Sequence, residues 1–162
     1  MGKKLIPEQP VEAVHGELDI IGWHQTDDYS CGYAAAVTLL KHFGVRFKRD
    51  ELWDELAPCP DMGVTTGAAL KALRARGLVV TVKPLTAETL KAAHAANLPT
   101  LVSARLDGFP RCEEHWMIVA GVNSGHALLL NQPNANYDRI WWSISKLRRR
   151  SSEKTCWVVR CR

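Results

Sequence analysis

Cys31 is the residue whose type and surroundings most favour covalent chemistry. It stands at the predicted start of an Ala-rich helix, within the stretch QTDDYSCGYAAAVTLLKHFG. Unsatisfied backbone N–H groups at a helix N-terminus stabilise a thiolate, which is the reactive form of a cysteine. We therefore predict that Cys31 is a nucleophile.

Gln25 precedes Cys31 by six residues and suits a second role. When a thiolate attacks an amide carbonyl, negative charge builds on the carbonyl oxygen, and a fixed donor beside the nucleophile lowers that barrier. The side-chain amide of Gln25 and the backbone N–H of Cys31 would form such an oxyanion hole. Gly32 has no Cβ, so we expect it to let a substrate backbone approach closely. The alternative is that Cys31 is a small buried residue and Gln25 an ordinary loop residue.

His115 opens a predicted strand, and the following hairpin offers it an orienting partner. The segments EHWMIVAGV, NSG and HALLLNQ predict two strands joined by a three-residue loop, which pairs Met117 with Asn131. Because strand side chains alternate, His115 and Asn131 then share a face, where the amide would orient the imidazole as general base. A two-residue turn at Ser124 and Gly125 would slip this register and send Asn131 to the other face.

Competing assignments exist for both residues. Five other histidines are present, at positions 15, 24, 42, 94 and 126. His24 is the strongest rival of His115, because it lies seven residues from Cys31 and next to Gln25. Asn131 has an alternative role as a turn former ahead of Pro133.

The surrounding pattern predicts the elements that must hold these residues. Helices are expected from Cys31 to about Phe43, over ELWDEL with Asp50 as its cap, from Thr66 to Gly77, and after a cap at Thr86. Strands are expected over 18–21, 78–82, PTLVSARL, the hairpin, 140–144 and TCWVVRC. Helices cluster in the first hundred residues and strands in the last sixty. This segregation predicts an α+β fold, with the site between its two halves.

Composition indicates one ordinary globular domain. The chain has 162 residues, 46% of them hydrophobic, and we expect an N-terminal arm over 1–21 and a single domain over 22–162. The net charge of +4 owes much to the run Arg148–Arg150, so it is a weak sign of nucleic-acid binding. Five cysteines without disulfide-type spacing, and no signal peptide or membrane segment, favour a cytoplasmic location. No Gly-rich phosphate loop or cofactor motif is found.

Taken together, these motifs resemble the papain-like fold, and more closely the bacteriocin-processing, double-glycine leader peptidases of bacteria. The resemblance covers roughly residues 22–145. It rests on Gln, then Cys-Gly opening a helix, then GVTTGAALKALRARGL, LKAAHAANLPTLVSAR and a His-aromatic strand, in that order.

The resemblance implies a thiol protease that needs no cofactor. By position, Gln25 matches the oxyanion donor, Cys31 the nucleophile, His115 the general base and Asn131 the orienting residue. The chain departs from the family at Ser30, where Asp is usual, and at Asn131 followed by Gln132, where Asp usually precedes the Pro. Papain itself uses Asn as its third residue, so the resemblance implies activity on a peptide or protein substrate.

Four readings of function follow. The leading one is a cysteine peptidase, and the same thiol would serve an acyltransferase if an amine outcompeted water. The second is a catalytically silent domain that binds a peptide segment. A third is a metal site built on Cys112 and His115. Cys156 and Cys161 are poor candidates for its remaining ligands, because they are five residues apart on a predicted strand and so face opposite sides. The fourth is nucleic-acid binding through KLRRR, which is more typical of a solvated surface segment.

Overall fold

The computed structural model describes residues 10–11, 18–20, 22–23, 27, 29–106, 114–130 and 139–162. None of the helices in these ranges is long and apolar enough to cross a membrane. The elements in chain order are β1 (Pro10–Val11), β2 (Gly22–Trp23), α1 (Cys31–His42), α2 (Arg49–Leu56), α3 (Thr66–Ala75), β3 (Leu78–Pro84), α4 (Ala87–Ala95), β4 (Thr100–Ala104), β5 (His115–Asn123), β6 (His126–Leu130), β7 (Arg139–Ser143), α5 (Ile144–Arg150) and β8 (Thr155–Cys161).

A six-stranded antiparallel sheet is the centre of the fold, with strand order β3-β8-β4-β5-β6-β7. Alternate residues of each strand face opposite sides, so the sheet has two apolar faces to cover. On one face a core forms with α1, α2 and α3, and it includes Leu101, Ile118 and Trp157 of the sheet. On the other face a second core forms with α4 and α5, and it includes Val102 and Met117.

The predicted α+β class is therefore confirmed, although the segregation of helices from strands is incomplete. Strand β3, from the first half of the chain, joins the sheet by pairing with β8. Helix α5 lies in the second half, and its Ile144 and Leu147 are buried. The run Arg148–Arg150, predicted as a surface segment, forms the last turn of this helix. The helix was not predicted, because two buried positions in seven residues are too few to show a helical period in the sequence.

Helix α1 is the central helix, and its first ten residues are all buried. The small side chains of Ala34, Ala35 and Ala36 allow the close approach of neighbouring elements, since α1 contacts α2, α3, β2 and β5. As predicted, the helix ends just before Gly44, whose φ of +65° is in the left-handed region.

Of the two predicted caps, one is displaced and one is right. Helix α2 begins after Lys48, so Asp50 lies within its first turn. Helix α3 begins at Thr66 as predicted, and the side chain of Thr65 caps it by accepting from the Ala68 N–H. Thr86 caps α4 as predicted, accepting from the Thr89 N–H at 3.1 Å.

The hairpin of β5 and β6 has a different turn from the one predicted, yet the predicted register returns further along. Asn123 pairs with His126 around a two-residue turn in which Ser124 and Gly125 both have positive φ. The predicted three-residue loop is therefore wrong. A bulge at Ala120 then shifts the ladder by one residue, and beyond it Ile118 pairs with Leu130, as the sequence-based register required.

The bulge also holds the N-terminal segment. The Ala120 carbonyl accepts from the Leu18 N–H at 2.8 Å, and Leu18 and Ile20 are buried in the core beside α1. The strand predicted over 18–21 is not found at 18–20, where the backbone has no regular structure, and pairing begins instead at Gly22.

Candidate active site

Cys31 is the first residue of α1 and only 3% of its surface is exposed. The first hydrogen bond of the helix runs from the Ala34 N–H to the Ser30 carbonyl, so the N–H groups of residues 31–33 are not used by the helix ladder. Cys31 therefore lies at the positive end of the helix dipole. This position stabilises a thiolate or an oxyanion.

Asp27 shapes the turn that leads into the helix. Its Oδ1 accepts from the Tyr29 N–H at 3.1 Å and from the Ser30 N–H at 2.7 Å. The Ser30 side chain makes no capping hydrogen bond. An acid three residues before Ser30 thus orders the approach to Cys31, a role that the sequence reading did not identify.

Gly32 is explained by packing within the protein. A Cβ at this position would lie 2.6 Å from Cβ of Val64 and 3.2 Å from Cδ1 of Trp116. The prediction that a substrate backbone approaches Gly32 closely is therefore wrong, because these two side chains occupy that space. The absence of a Cβ lets the start of α1 sit directly against β5 and the loop before α3.

His115 is the first residue of β5 and is 1% exposed. It pairs with Ala104 of β4, so its side chain shares the sheet face of Met117. Trp116, the next residue, contacts the α1 side of the sheet. Because Gly32 follows Cys31 and Trp116 follows His115, the contact between Gly32 and Trp116 brings the beginnings of α1 and β5 together.

The other described histidines lie elsewhere. His42 ends α1, about 16 Å along the helix axis from Cys31 at 1.5 Å per residue. His94 lies near the end of α4, and His126 is exposed beside the hairpin turn. His15 and His24 fall outside the described residues. So do Gln25 and Asn131, whose predicted roles stay predictions.

A cavity of about 460 Å³ opens beside the thiol. Cys31 and Trp116 line it, together with Ser103, Glu114 and Ser152. The rest of its described wall is the segment 60–66, which connects α2 to α3. This loop is closed at its base by the bridge between Cys59 and Gly63. His115 is not among the described residues that line the cavity.

Glu114 joins three segments of the cavity wall. Its Oε2 accepts from the Ser103 hydroxyl at 2.9 Å, and its Oε1 accepts from the Ser152 N–H at 2.5 Å. The carboxylate thereby links β4, the start of β5 and the loop after α5. Nothing in the spacing of the sequence could have revealed this network, since its members are 11 and 38 residues apart.

The other described cysteines differ from Cys31 in their surroundings. Cys156 lies in the core beside α4, and burial raises the pKa of its thiol to about 11. Cys161 is exposed at the end of β8. Among the residues that the structure describes, no group of three or more His, Cys, Asp or Glu side chains is arranged to hold a metal ion. Cys112, on which the metal-site reading depended, lies outside the described residues.

Solved structures with the same fold span most of this chain. A double-glycine-motif protease from an AMS/PCAT transporter, solved with its leader peptide, is similar with a TM-score of 0.69 and 17% identity, covering 95% of this chain and 99% of its own. The peptidase domain of Streptococcus ComA is similar with a TM-score of 0.67 and 16% identity, covering 85% of this chain and 96% of its own. The peptidase domain of Streptococcus mutans ComA has a TM-score of 0.58 and 12% identity, covering 84% of this chain and 95% of its own. At these identities the likeness establishes the fold.

A family model settles the relationship at the level of sequence. No curated protein matches the chain significantly. The model of the peptidase C39 family, however, matches residues 21–156, which is most of the chain and includes both Cys31 and His115. The chain therefore belongs to the peptidase C39 family.

Proposed function

We propose that the protein is a cysteine peptidase that cleaves a peptide bond through an acyl-enzyme on Cys31. The observation that carries this proposal is the position of Cys31 at the N-terminus of a buried helix, on the wall of a cavity also lined by Trp116. Membership of the peptidase C39 family supports the same reaction class. The domain would extend over residues 22–162, after an arm over 1–21.

In the proposed reaction, His115 takes the proton of the Cys31 thiol, and the sulfur attacks the substrate carbonyl carbon. The new C–S bond forms as the oxygen gains negative charge, which the Cys31 N–H and the Gln25 amide would stabilise. When the C–N bond breaks, the imidazolium of His115 donates its proton to the leaving amine. A water molecule, deprotonated by His115, then attacks the thioester, and the carboxylic acid product leaves as the thiol is restored.

Asn131 would orient the ring of His115. The described ladder pairs Ile118 with Leu130, which is the register from which the sequence predicted a pairing of Met117 with Asn131. His115 shares the sheet face of Met117, so the observed register supports the proposed partner. A comparison of Asn131→Ala with Gln132→Ala tests it. If the larger loss of kcat falls on Gln132→Ala, the proposed register is wrong.

The substrate we propose is a peptide with a leader segment, because the double-glycine-motif protease with this fold was solved in complex with its leader peptide. A peptide substrate also suits a cavity that opens to the surface along a loop. An amine acceptor in place of water would give acyl transfer through the same thioester.

The experiment compares wild type with Cys31→Ala on synthetic peptides that contain a central Gly-Gly sequence, with products identified by mass spectrometry. Cleavage is expected with wild type and should fall to background in Cys31→Ala. Cys161→Ala is the matched control, because its thiol is exposed and does not line the cavity, and it should keep wild-type activity. Cleavage that survives in Cys31→Ala would contradict the proposal.

The second candidate is a silent domain that binds a peptide, and it is favoured by the departures from the family pattern at Ser30 and Asn131. Fluorescence anisotropy distinguishes the two. Peptide binding by Cys31→Ala equal to that of wild type, with no product from wild type under any condition, would support the silent domain.

A further inference from the structure

The charged residues on the described wall of the cavity are all acidic. Asp61 and Glu114 line it, and none of the described Lys, Arg or His side chains does. The chain as a whole carries a net charge of +4, so this local excess of negative charge runs against the composition. A concave site lined by one sign of charge raises the local concentration of ligands of the opposite sign.

Glu114 is held in place by neutral hydrogen-bond donors. Among the described residues, these donors are the Ser103 hydroxyl and the Ser152 N–H. Each carboxylate oxygen has two acceptor positions, and each accepts one hydrogen bond from these donors. The carboxylate is therefore oriented before a ligand arrives and keeps the capacity to accept from a cation.

The remaining side chains of the wall suit the stem of a long cationic residue. Trp116 contributes an indole ring, and aromatic rings attract ammonium and guanidinium groups through their quadrupole. Met62, on the opposite loop, is 72% exposed and offers a flexible thioether surface. Lys and Arg side chains have apolar stems that pack on such surfaces while the charged head reaches a carboxylate.

We propose that this cavity selects a peptide segment with a Lys or Arg side chain at one position beside the scissile bond. Asp61 and Glu114 provide the counter-charge, and Trp116 provides the contact for the stem. This proposal rests on the proposed peptidase function. It adds a basic side chain to the description of the substrate, which the family relationship does not specify.

The test uses the Gly-Gly peptides in sets of three, in which one flanking position at a time carries Lys, norleucine or Glu. Norleucine keeps the apolar stem of Lys and removes its charge. At one position or more, kcat/KM for the Lys peptide should exceed that of the norleucine peptide about tenfold, with the Glu peptide slowest. In Asp61→Asn or Glu114→Gln the preference for Lys should fall by at least about threefold.

Glu88→Gln is the matched control, since it makes the same charge change on α4, on the other face of the sheet. Its preference for Lys should equal that of wild type. If Glu114→Gln fails to fold, Asp61→Asn still tests the proposal, because Asp61 is an exposed loop residue whose replacement should not disturb folding. Equal rates for Lys and norleucine at every position, or a Lys preference retained in both cavity variants, would overturn the proposal.

The two proposals fail in different ways. If peptides are cleaved by wild type and not by Cys31→Ala, but without preference for Lys, the peptidase function stands and the specificity falls. If no peptide is cleaved, the peptidase proposal fails. Binding of the same peptides to Cys31→Ala, measured by fluorescence anisotropy, then still tests the selection of Lys over norleucine.

Discussion

At the scale of single residues, Cys31 and its neighbour Gly32 have separate structural requirements. The position of Cys31 at a helix N-terminus could be predicted because Cys-Gly precedes an Ala-rich helical pattern. Gly32 needs the absence of a Cβ, which we also predicted, but for the wrong reason. The side chains that occupy the space, Val64 and Trp116, come from other parts of the chain. A sequence can show that a small residue is required without showing what lies against it.

Gly32→Ala should therefore destabilise the protein. The new methyl group would lie 2.6 Å from Cβ of Val64, which cannot rotate away, so the loop or the helix must move. Overpacking of this kind costs about 1–3 kcal/mol. Urea denaturation monitored by tryptophan fluorescence measures the loss, and the displaced cavity wall should also lower kcat/KM.

Gly67→Ala provides the comparison. Gly67 lies within α3, and a Cβ there would have no neighbour within 4 Å. Replacing a helical Gly by Ala removes an entropic cost of about 1 kcal/mol, so this variant should be as stable as wild type or more so. An unchanged stability in Gly32→Ala would show that the close packing beside Cys31 is described wrongly.

At the scale of elements, two compensating features place β6 against β5. Strands were predictable from their alternation and their β-branched residues, but the turn length was not, because Asn123, Ser124 and Gly125 suit either loop. The two-residue turn shifts the register by one, and the bulge at Ala120 shifts it back before Ile118. The carbonyl of Ala120 then binds Leu18, a contact between residues about a hundred positions apart that no local pattern records.

The turn itself can be tested at Gly125. Its φ is +79°, and a Cβ there would have no neighbour within 4 Å, so a substitution should act through the backbone alone. Gly125→Ala should destabilise the protein by roughly 1–2 kcal/mol, whereas Gly125→Asn should cost less, since Asn tolerates positive φ. Thermal and urea denaturation of the two variants measure the difference, and equal losses would argue against the left-handed turn.

At the scale of the whole molecule, the fold brings together segments that are far apart in the sequence. Helix α1 begins at residue 31 and β5 at residue 115, and their beginnings meet through Gly32 and Trp116. The class of fold and the position of Cys31 at the start of a helix could be predicted from local patterns and a family resemblance. The acidic cavity wall could not, because the Glu114 network depends on three segments that meet only after folding.

The central claim is that Cys31 and His115 act as one thiol and base pair, and its most direct test is the rate of alkylation of each cysteine by iodoacetamide near neutral pH. Mass spectrometry reports labelling residue by residue. Cys161 is the internal reference for an exposed thiol, and Cys156 should be the slowest, since burial raises its pKa to about 11.

The account predicts that Cys31 reacts well ahead of the other four cysteines in the wild-type protein. In His115→Ala its rate should fall more than about tenfold, because the base that removes the proton is lost. Equal labelling of Cys31 and Cys161, or a Cys31 rate that does not change in His115→Ala, would contradict the claim.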